Sequence, residues 1–386
     1  MLNPKTKMRE LVYVARITDI RPIEGKDRVE CAVVNNWTVM VKKGQFQIGD
    51  LGIYFEMDSQ VRADDPRFSF LQKYKYKIKM QKYKNFYSQG LLLGAEDLGW
   101  AYDKNIDRIK IKFKKYAEGA FLTNILKVTY ASQEDNIRKK VNKDTWLMKL
   151  YFKYRWKWLK PFISADTDSY FPVGRFAGVS VTDQERCENL PNLLSNKTPL
   201  VVTEKADGSS ATYILESLGK GKYEFYVCSR NIHRLTKDNV WWEVAKKYDI
   251  YNKLKNYLST SGCSWVAWQG EVCSPNIQGN PHHLTETHFF PFHWIDSNNG
   301  KWHIADACKE WKEKYGLTPV TIIDTNYILP DDFEEFKKTA DHYYSTELTE
   351  GKENIKAEGY VYYNTKDPYI SFKNVSREYL NGKGNL

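Results

Sequence analysis

From Leu11 to Asp58, apolar and polar residues fall into short runs of strand character. LVYVARITDI (11–20), VECAVV (29–34), WTVMVKK (37–43) and LGIYFEM (51–57) are separated by Gly25, Gly44, Gly49 and Asp50. Short strands with glycine corners predict a small β-barrel. Lys73–Lys84, KYKYKIKMQKYK, reads as an exposed edge strand whose lysines discourage pairing with other chains. YSQGLLLG (87–94) returns to a short apolar strand closed by glycine. The pattern then changes: Asp135–Phe162 interleaves Trp, Tyr, Phe and Leu with many Lys and Arg, and predicts a basic aromatic helix ended by Pro161.

Beyond that helix, strands and helices mix. VTDQERCENLPNLL (181–194) places Asp183 as the cap of a short helix carrying Arg186. Strand signals recur at Val201–Glu204, Ala211–Ile214, YEFYVCSRN (223–231), SWVAWQGEV (264–272), HFFPFHWID (288–296), KAEGYVYY (356–363) and YISFKNV (369–375). One amphipathic helix is predicted over Asn239–Leu258. The chain therefore predicts an α+β protein in three parts: an OB-type barrel over 1–130, a linker helix over 131–170 and an antiparallel-sheet domain over 171–386. An OB-type barrel is a common nucleic-acid platform, and on pattern alone it serves equally well as a packing module.

Composition narrows the partners. The 386 residues carry a net charge of +10, which favours a polyanion, because clustered Lys and Arg release counterions from phosphates. Aromatics make up 15% of the chain, enough to supply stacking surfaces beyond the core. Six cysteines stand without a C-x-x-C pair, which argues against a zinc site or disulfide framework and for a reducing, cytoplasmic-type compartment. The N-terminus lacks the apolar core of a signal peptide and no long apolar run appears, so a soluble monomer away from membranes is expected.

The chemistry centres on VTEKADGSSAT (202–212): a strand, a tight turn bearing Lys205, Asp207 and Gly208, and a second strand. A lysine partly desolvated at such a turn is expected to have a lowered pKa and to act as a nucleophile. Four residues alone describe an ordinary surface hairpin just as well. Their order with later strand ends is more specific: KADG, SRN with Arg230, QGE with Glu271, FFPFHWID with Phe292, EGYV with Glu358 and Gly359, and SFK with Lys373. This series resembles the covalent nucleotidyltransferase superfamily of ATP-dependent ligases and capping enzymes. With Glu10–Ser59, SQGLLL, TDQERCENLP and EKADGSSATY it is similar to the fifth RNA ligase family, in which an OB domain precedes an ATP-grasp-like ligase domain.

The resemblance implies an enzyme that binds ATP, carries AMP on Lys205 and joins a 5′-phosphate to a 3′-hydroxyl, with RNA or an RNA-containing nicked duplex as partner. It implies nucleotide contacts from Glu204, Arg186, Arg230, Glu271, Phe292 and Lys373, Phe292 stacking on adenine. Asp207, Glu271 and Glu358 would surround Mg2+ or Mn2+, which take oxygen ligands and keep waters. DNA ligases and capping guanylyltransferases are the alternatives within the superfamily, and a non-catalytic nucleic-acid binder the alternative outside it. The stop at Leu386, which leaves no room for a C-terminal OB domain, weighs against the first two. Some relatives carry a second lysine two positions before the last; here that position is Ser371, and Lys366 is too distant in sequence to stand in for it.

Overall fold

The computed structural model describes residues 1–3, 9–130, 169–170, 175–230, 232–234 and 236–383. In the first part, strands β1 (Val12–Pro22), β2 (Val29–Val34), β3 (Trp37–Lys42), β4 (Leu51–Phe55) and β5 (Leu91–Leu93) form one curled sheet in the order β3-β2-β1-β4-β5. β1 is the pivot. Its first half pairs with β4 and its second half with β2, and a register shift between Ile17 and Asp19 lets it turn from one side of the barrel to the other.

Tyr13, Ala15, Ile17, Trp37, Val39 and Tyr54 fill the barrel. Val12, Val14, Ile53 and Phe55 face outward but are covered by Phe68, Leu71 and Ile109. Burial on both faces is why Leu11–Ala15 contains no polar residue. The predicted edge strand over Lys73–Lys84 does not form. A 3-10 helix runs to Tyr74, Lys75 and Tyr76 take left-handed conformations (φ 53° and 59°), and only Gln81–Tyr83 is extended, paired with Phe86–Ser88. Asp135–Phe162, expected to form the linker helix, lies outside the described residues.

The second part holds two facing sheets. One contains β8 (Ser209–Gly219), β9 (Lys222–Ser229), β10 (Trp265–Cys273), β11 (His288–Asp296) and β12 (Gly300–Lys301), adjacent in the order β9-β8-β10-β11-β12; the other runs β6-β15-β14-β7-β13. In that second sheet β6 is Glu185–Arg186, β7 Leu200–Glu204, β13 Ile322–Tyr327, β14 Gly359–Asn364 and β15 Ser371–Val375. Only β6 and β15 pair in parallel.

Helices α1 (Val240–Lys247), α2 (Ile250–Ser261) and α3 (Ile304–Tyr315) supply Val244, Leu254, Leu258 and Trp311 to a core with Tyr213, Val266, Trp268 and Trp294 of the larger sheet. The single helix predicted over Asn239–Leu258 is thus two, broken where Asp249 takes φ 49°. Leu200, Val202, Tyr362 and Phe372 of the smaller sheet pack on Phe336. A short helix, α4 (Arg377–Lys383), follows β15. All six cysteines are buried with free thiols. No helix among the described residues is long and apolar enough to cross a membrane.

Candidate active site

The turn that leaves β7 and enters β8 brings the chemistry together. The Lys205 amide donates to the Gly359 carbonyl (2.8 Å), which fixes the lysine beside the start of β14. The Tyr344 hydroxyl donates to the Lys205 carbonyl (2.9 Å) and accepts from the Glu358 amide (3.1 Å), so one side chain aligns both backbones. Lys205 Nζ then meets Glu358 Oε2 at 2.6 Å.

Asp207 is held from two sides. Its amide donates to His282 Nε2 (3.0 Å), and its Oδ2 accepts from the Tyr379 hydroxyl of α4 (2.6 Å). His282 Nδ1 donates in turn to the Leu348 carbonyl (3.1 Å), so the imidazole is neutral with its proton on Nδ1. The Gly208 amide donates to Glu271 Oε1 (3.2 Å). A Cβ on Gly208 would lie 2.3 Å from the Val272 carbonyl oxygen. Glycine is therefore required by close approach of two strands, whereas the sequence suggested a turn residue chosen for backbone freedom.

These contacts set the electrostatics. Burial alone would lower the Lys205 pKa, but Glu358, Glu271 and Asp207 together hold it above the ordinary lysine range. The expectation of a lowered pKa is wrong for the free enzyme: the surrounding carboxylates outweigh desolvation. Glu271 moves the other way. Burial lifts it to about 8, and repulsion from Asp207 and Glu358 adds to the lift against the pull of Lys205. On β15 of the same sheet, burial, with repulsion from Lys205, Arg186 and Arg9, takes Lys373 down to about 7 despite the attraction of Asp183.

Phe292 stands on β11 where the pairing slips between Gln269 and Gly270, so it is the extra residue of a bulge. It is half-buried, while its neighbours Phe289 and Phe290 are 1% exposed and belong to the core. Lys373 and Arg186 lie side by side on the parallel pair β15 and β6, and Lys373 is in register with Val361 of β14.

The turn thus sets an amine among three carboxylates, with a second amine on the same sheet and a half-buried aromatic ring on the larger one. The comparisons with known proteins agree. An RNA ligase family profile matches residues 198–377, and an OB-fold domain profile matches residues 11–95. No curated protein sequence matches the chain. Among solved structures, Naegleria gruberi RNA ligase with pyrophosphate is 26% identical over 98% of this chain and 100% of its own, with a TM-score of 0.73. A point variant of that enzyme with ATP and manganese is 26% identical over 98% of this chain and 99% of its own, at 0.72. A third form, with AMP and manganese, is 26% identical over 97% and 99%, at 0.71.

The chain belongs to the RNA ligases that carry an N-terminal OB domain.

In this RNA ligase Arg186 and Arg230 fall on the seam between the two domains, beside Asp58 and Tyr130 of the barrel. Asp183 is not a helix cap and Arg186 is not helical: Arg186 ends β6, and a 3-10 turn over Cys187–Asn189 follows it. Asp183 forms an ion pair with Arg230. Burial would raise the Asp183 carboxyl, but Arg230, Lys373 and Arg9 bring it down to about 2. Arg186 is 6% exposed and pairs with Asp58 at 3.8 Å, and among the described residues its Nε and Nη1 find no hydrogen-bond partner. Glu204 turns away from the others and spends its carboxylate on the Ser345 amide (2.7 Å) and hydroxyl (2.6 Å). Asn231 lies outside the described residues.

Several residues that build the site gave no sign in the sequence. Asn189 accepts from the Trp37 indole (2.6 Å) and Tyr13 hydroxyl (2.9 Å) of the barrel, and donates to Glu56 (2.8 Å) and Glu185 (2.7 Å). It is the latch of the seam. Its place in the TDQERCEN segment was noticeable; its barrel partners, more than a hundred positions away, were not. Tyr344, Tyr379 and His282 have no local marker at all.

Among the described residues, no three His, Cys, Asp or Glu side chains are arranged to hold a metal ion directly. The donor chemistry nonetheless suits a hydrated divalent cation. Asp207, Glu271 and Glu358 are hard oxygen donors, Asp207 and Glu358 add to the rise of Glu271 that its burial causes, and a cation held through its waters would relieve that repulsion.

Proposed function

We propose that this RNA ligase seals nicks through three nucleotidyl transfers, using ATP and Mg2+ or Mn2+, with RNA on the 3′-hydroxyl side. The observation that carries the reading is the Lys205–Glu358 pair at 2.6 Å, with Lys373 on β15 of the same sheet, one strand beyond β14. Structures of the Naegleria enzyme with ATP, AMP, pyrophosphate and manganese support the same cofactors here.

In the first step the lone pair of Lys205 Nζ forms a bond to the α-phosphorus of ATP. The bond from that phosphorus to the bridging oxygen breaks, and pyrophosphate leaves with the electron pair. Glu358 Oε2 is placed to hold the proton that the amine gives up. A divalent cation, when bound near the carboxylates, supplies positive charge that offsets their hold on that proton and screens the phosphates. Lys373, on β15, stabilises charge on the α-phosphate oxygens. Phe292 presents its exposed face to the adenine. Arg186 and Arg230 hold phosphate or ribose oxygens as charge-assisted donors.

In the second step a 5′-phosphate oxygen of RNA takes the AMP group and the P–N bond breaks, restoring the Lys205 amine. In the third, a 3′-hydroxyl attacks the RNA phosphate and AMP departs. The barrel over 1–130 and the basic segment over 131–170 hold the nucleic acid, the domain over 171–386 performs the transfers, and the enzyme works as a monomer.

The test is to incubate the protein with α-labelled ATP or GTP and magnesium or manganese. An acid-stable label from ATP, lost in Lys205→Ala, is expected; no label from either nucleotide overturns the reading. A nicked duplex with RNA or DNA at the 3′-hydroxyl then sets the substrate: sealing that is equally fast with DNA there refutes the RNA preference.

A further inference from the structure

Residues 101–116 add a small sheet to the outside of the barrel. Arg108–Ile111 is its middle strand, flanked by Ala101–Asp103 and Lys114–Tyr116. Ile109 and Ile111 are buried in the layer that also holds Val12, Val14 and Phe55. Because strand side chains alternate, Lys110 points away from that layer, and its cross-strand partner is Lys115. Like charges set directly opposite each other destabilise a sheet.

The turn between the last two strands carries two further costs. Lys112 and Phe113 join Ile111 to its partner Lys114, and Lys112 takes left-handed backbone at φ 54°. Asn or Gly relieves that strain in two-residue turns, and neither is used. Phe113, at the tip, is fully exposed.

Charge is sorted along the hairpin. At its base Arg16 binds Asp107 at 2.6 Å and Glu118 at 2.7 Å, and the Tyr102 hydroxyl donates to Asp107 at 2.9 Å. Asp103 is taken by Lys110 at 2.6 Å. Over residues 108–117 no acid occurs, and Lys112, Lys114 and Lys115 form no ion pair among the described residues. The base is therefore anchored, while the tip presents three uncompensated cations around one bare ring.

A phosphate backbone offsets the facing lysines, and the flat side of a base covers Phe113. Only an unpaired base offers that side, which favours a single strand over a duplex. A lipid surface would also accept cations and a ring, but Phe113 is flanked by lysines on both sides and has little apolar area to insert.

We propose that this hairpin is a nucleic-acid contact outside the catalytic cleft, where Lys110, Lys112, Lys114 and Lys115 hold the phosphates of single-stranded RNA flanking the break and Phe113 stacks on one of its bases. The inference rests on the ligase reading for the source of the strand. It does not rest on that reading for the contact itself.

Binding of the full chain to a fluorescent single-stranded RNA is followed by anisotropy over a range of salt concentrations. Phe113→Ala is expected to weaken binding by roughly tenfold, the worth of one base stack, with an unchanged salt dependence, and Phe113→Tyr to restore most of the loss. Lys112→Ala, Lys114→Ala and Lys115→Ala combined should flatten the slope of log K against log salt by about two, at roughly 0.7 for each lost phosphate contact. All four side chains are exposed, so melting temperature and Lys205 labelling by ATP should stay at parent levels. If Phe113→Ala and the triple variant both bind RNA within twofold of the parent, with the parent's slope, the proposal is wrong. It is also wrong if RNA binding ignores Phe113 while sedimentation with anionic lipid vesicles depends on it, which makes the hairpin a membrane contact. If the parent takes no label from ATP but RNA binding still depends on Phe113 and the lysines, the ligase reading fails and the hairpin contact stands.

Discussion

Replacing Glu271 by glutamine isolates the strain stored around the nucleophile. In the metal-free protein the Glu271 pKa rises from 4.5 to about 8. Because the folded value is the higher one, the stabilising contribution is fully present below about pH 4.5 and is lost as pH climbs through 8. The gap, at about 1.36 kcal/mol per pH unit, corresponds to roughly 5 kcal/mol. Solvent still reaches the carboxylate through the cleft, and the neighbouring charges readjust as it ionises, so a penalty of about 2–3 kcal/mol at pH 8.5 is expected. Glu271→Gln keeps the acceptor for the Gly208 amide and removes the charge. Urea unfolding with a chelator should find parent and variant similar at pH 5, and the variant more stable by that amount at pH 8.5. Manganese should stabilise the parent more than the variant at pH 8.5. A variant less stable than the parent at pH 8.5, or equally favoured at both pH values, would refute the claim that carboxylate crowding limits the stability of the free enzyme.

The other predictions separate roles that adjacency in sequence conceals. Phe292→Ala should raise KM for ATP by about tenfold to a hundredfold, the worth of an aromatic stack on a base, with little change in melting temperature. Phe289→Ala, which empties a core site where the ring packs on Tyr213, should instead cost about 3–5 kcal/mol in urea unfolding. Gly208→Ala forces a methyl to within 2.3 Å of the Val272 oxygen, so Lys205 labelling should be abolished even in protein that remains folded by circular dichroism. Asn189→Ala leaves the buried Trp37 indole without its acceptor; a loss of about 1–3 kcal/mol is expected, with the two domains no longer unfolding together when followed by separate fluorescent probes.

What the sequence revealed depended on how far apart the interacting residues lie. The strands bearing Lys205, Glu271, Phe292, Glu358 and Lys373 were readable because each couples a local pattern of alternation to a short motif. The barrel was readable for the same reason. The Lys205 pKa was not, because its sign is set by three carboxylates that approach from β10, β14 and the turn itself, and their charges outweigh a desolvation that the local sequence did suggest. Lys73–Lys84 misled because alternating lysines satisfy a strand template while Lys75 and Tyr76 occupy left-handed backbone that no pattern announces. The partners of Asn189 and Tyr379 were invisible, those of Asn189 because they lie in the barrel and that of Tyr379 because Asp207 is 172 positions away. The TDQERCEN segment proved to lie on the seam, with Arg186 beside Lys373 and Asn189 bonded to the barrel.

Helix α4 links the same two regions by a shorter path. Glu378 binds Lys82 (2.8 Å) and Tyr87 of the barrel, Tyr379 binds Asp207, and Leu380 packs toward the barrel core. Successive helical side chains point about 100° apart, which is how one turn grips two bodies at once. Glu378 and Tyr379, neighbours in sequence, thus tie the position of the barrel to that of the Asp207 carboxylate through a single backbone step.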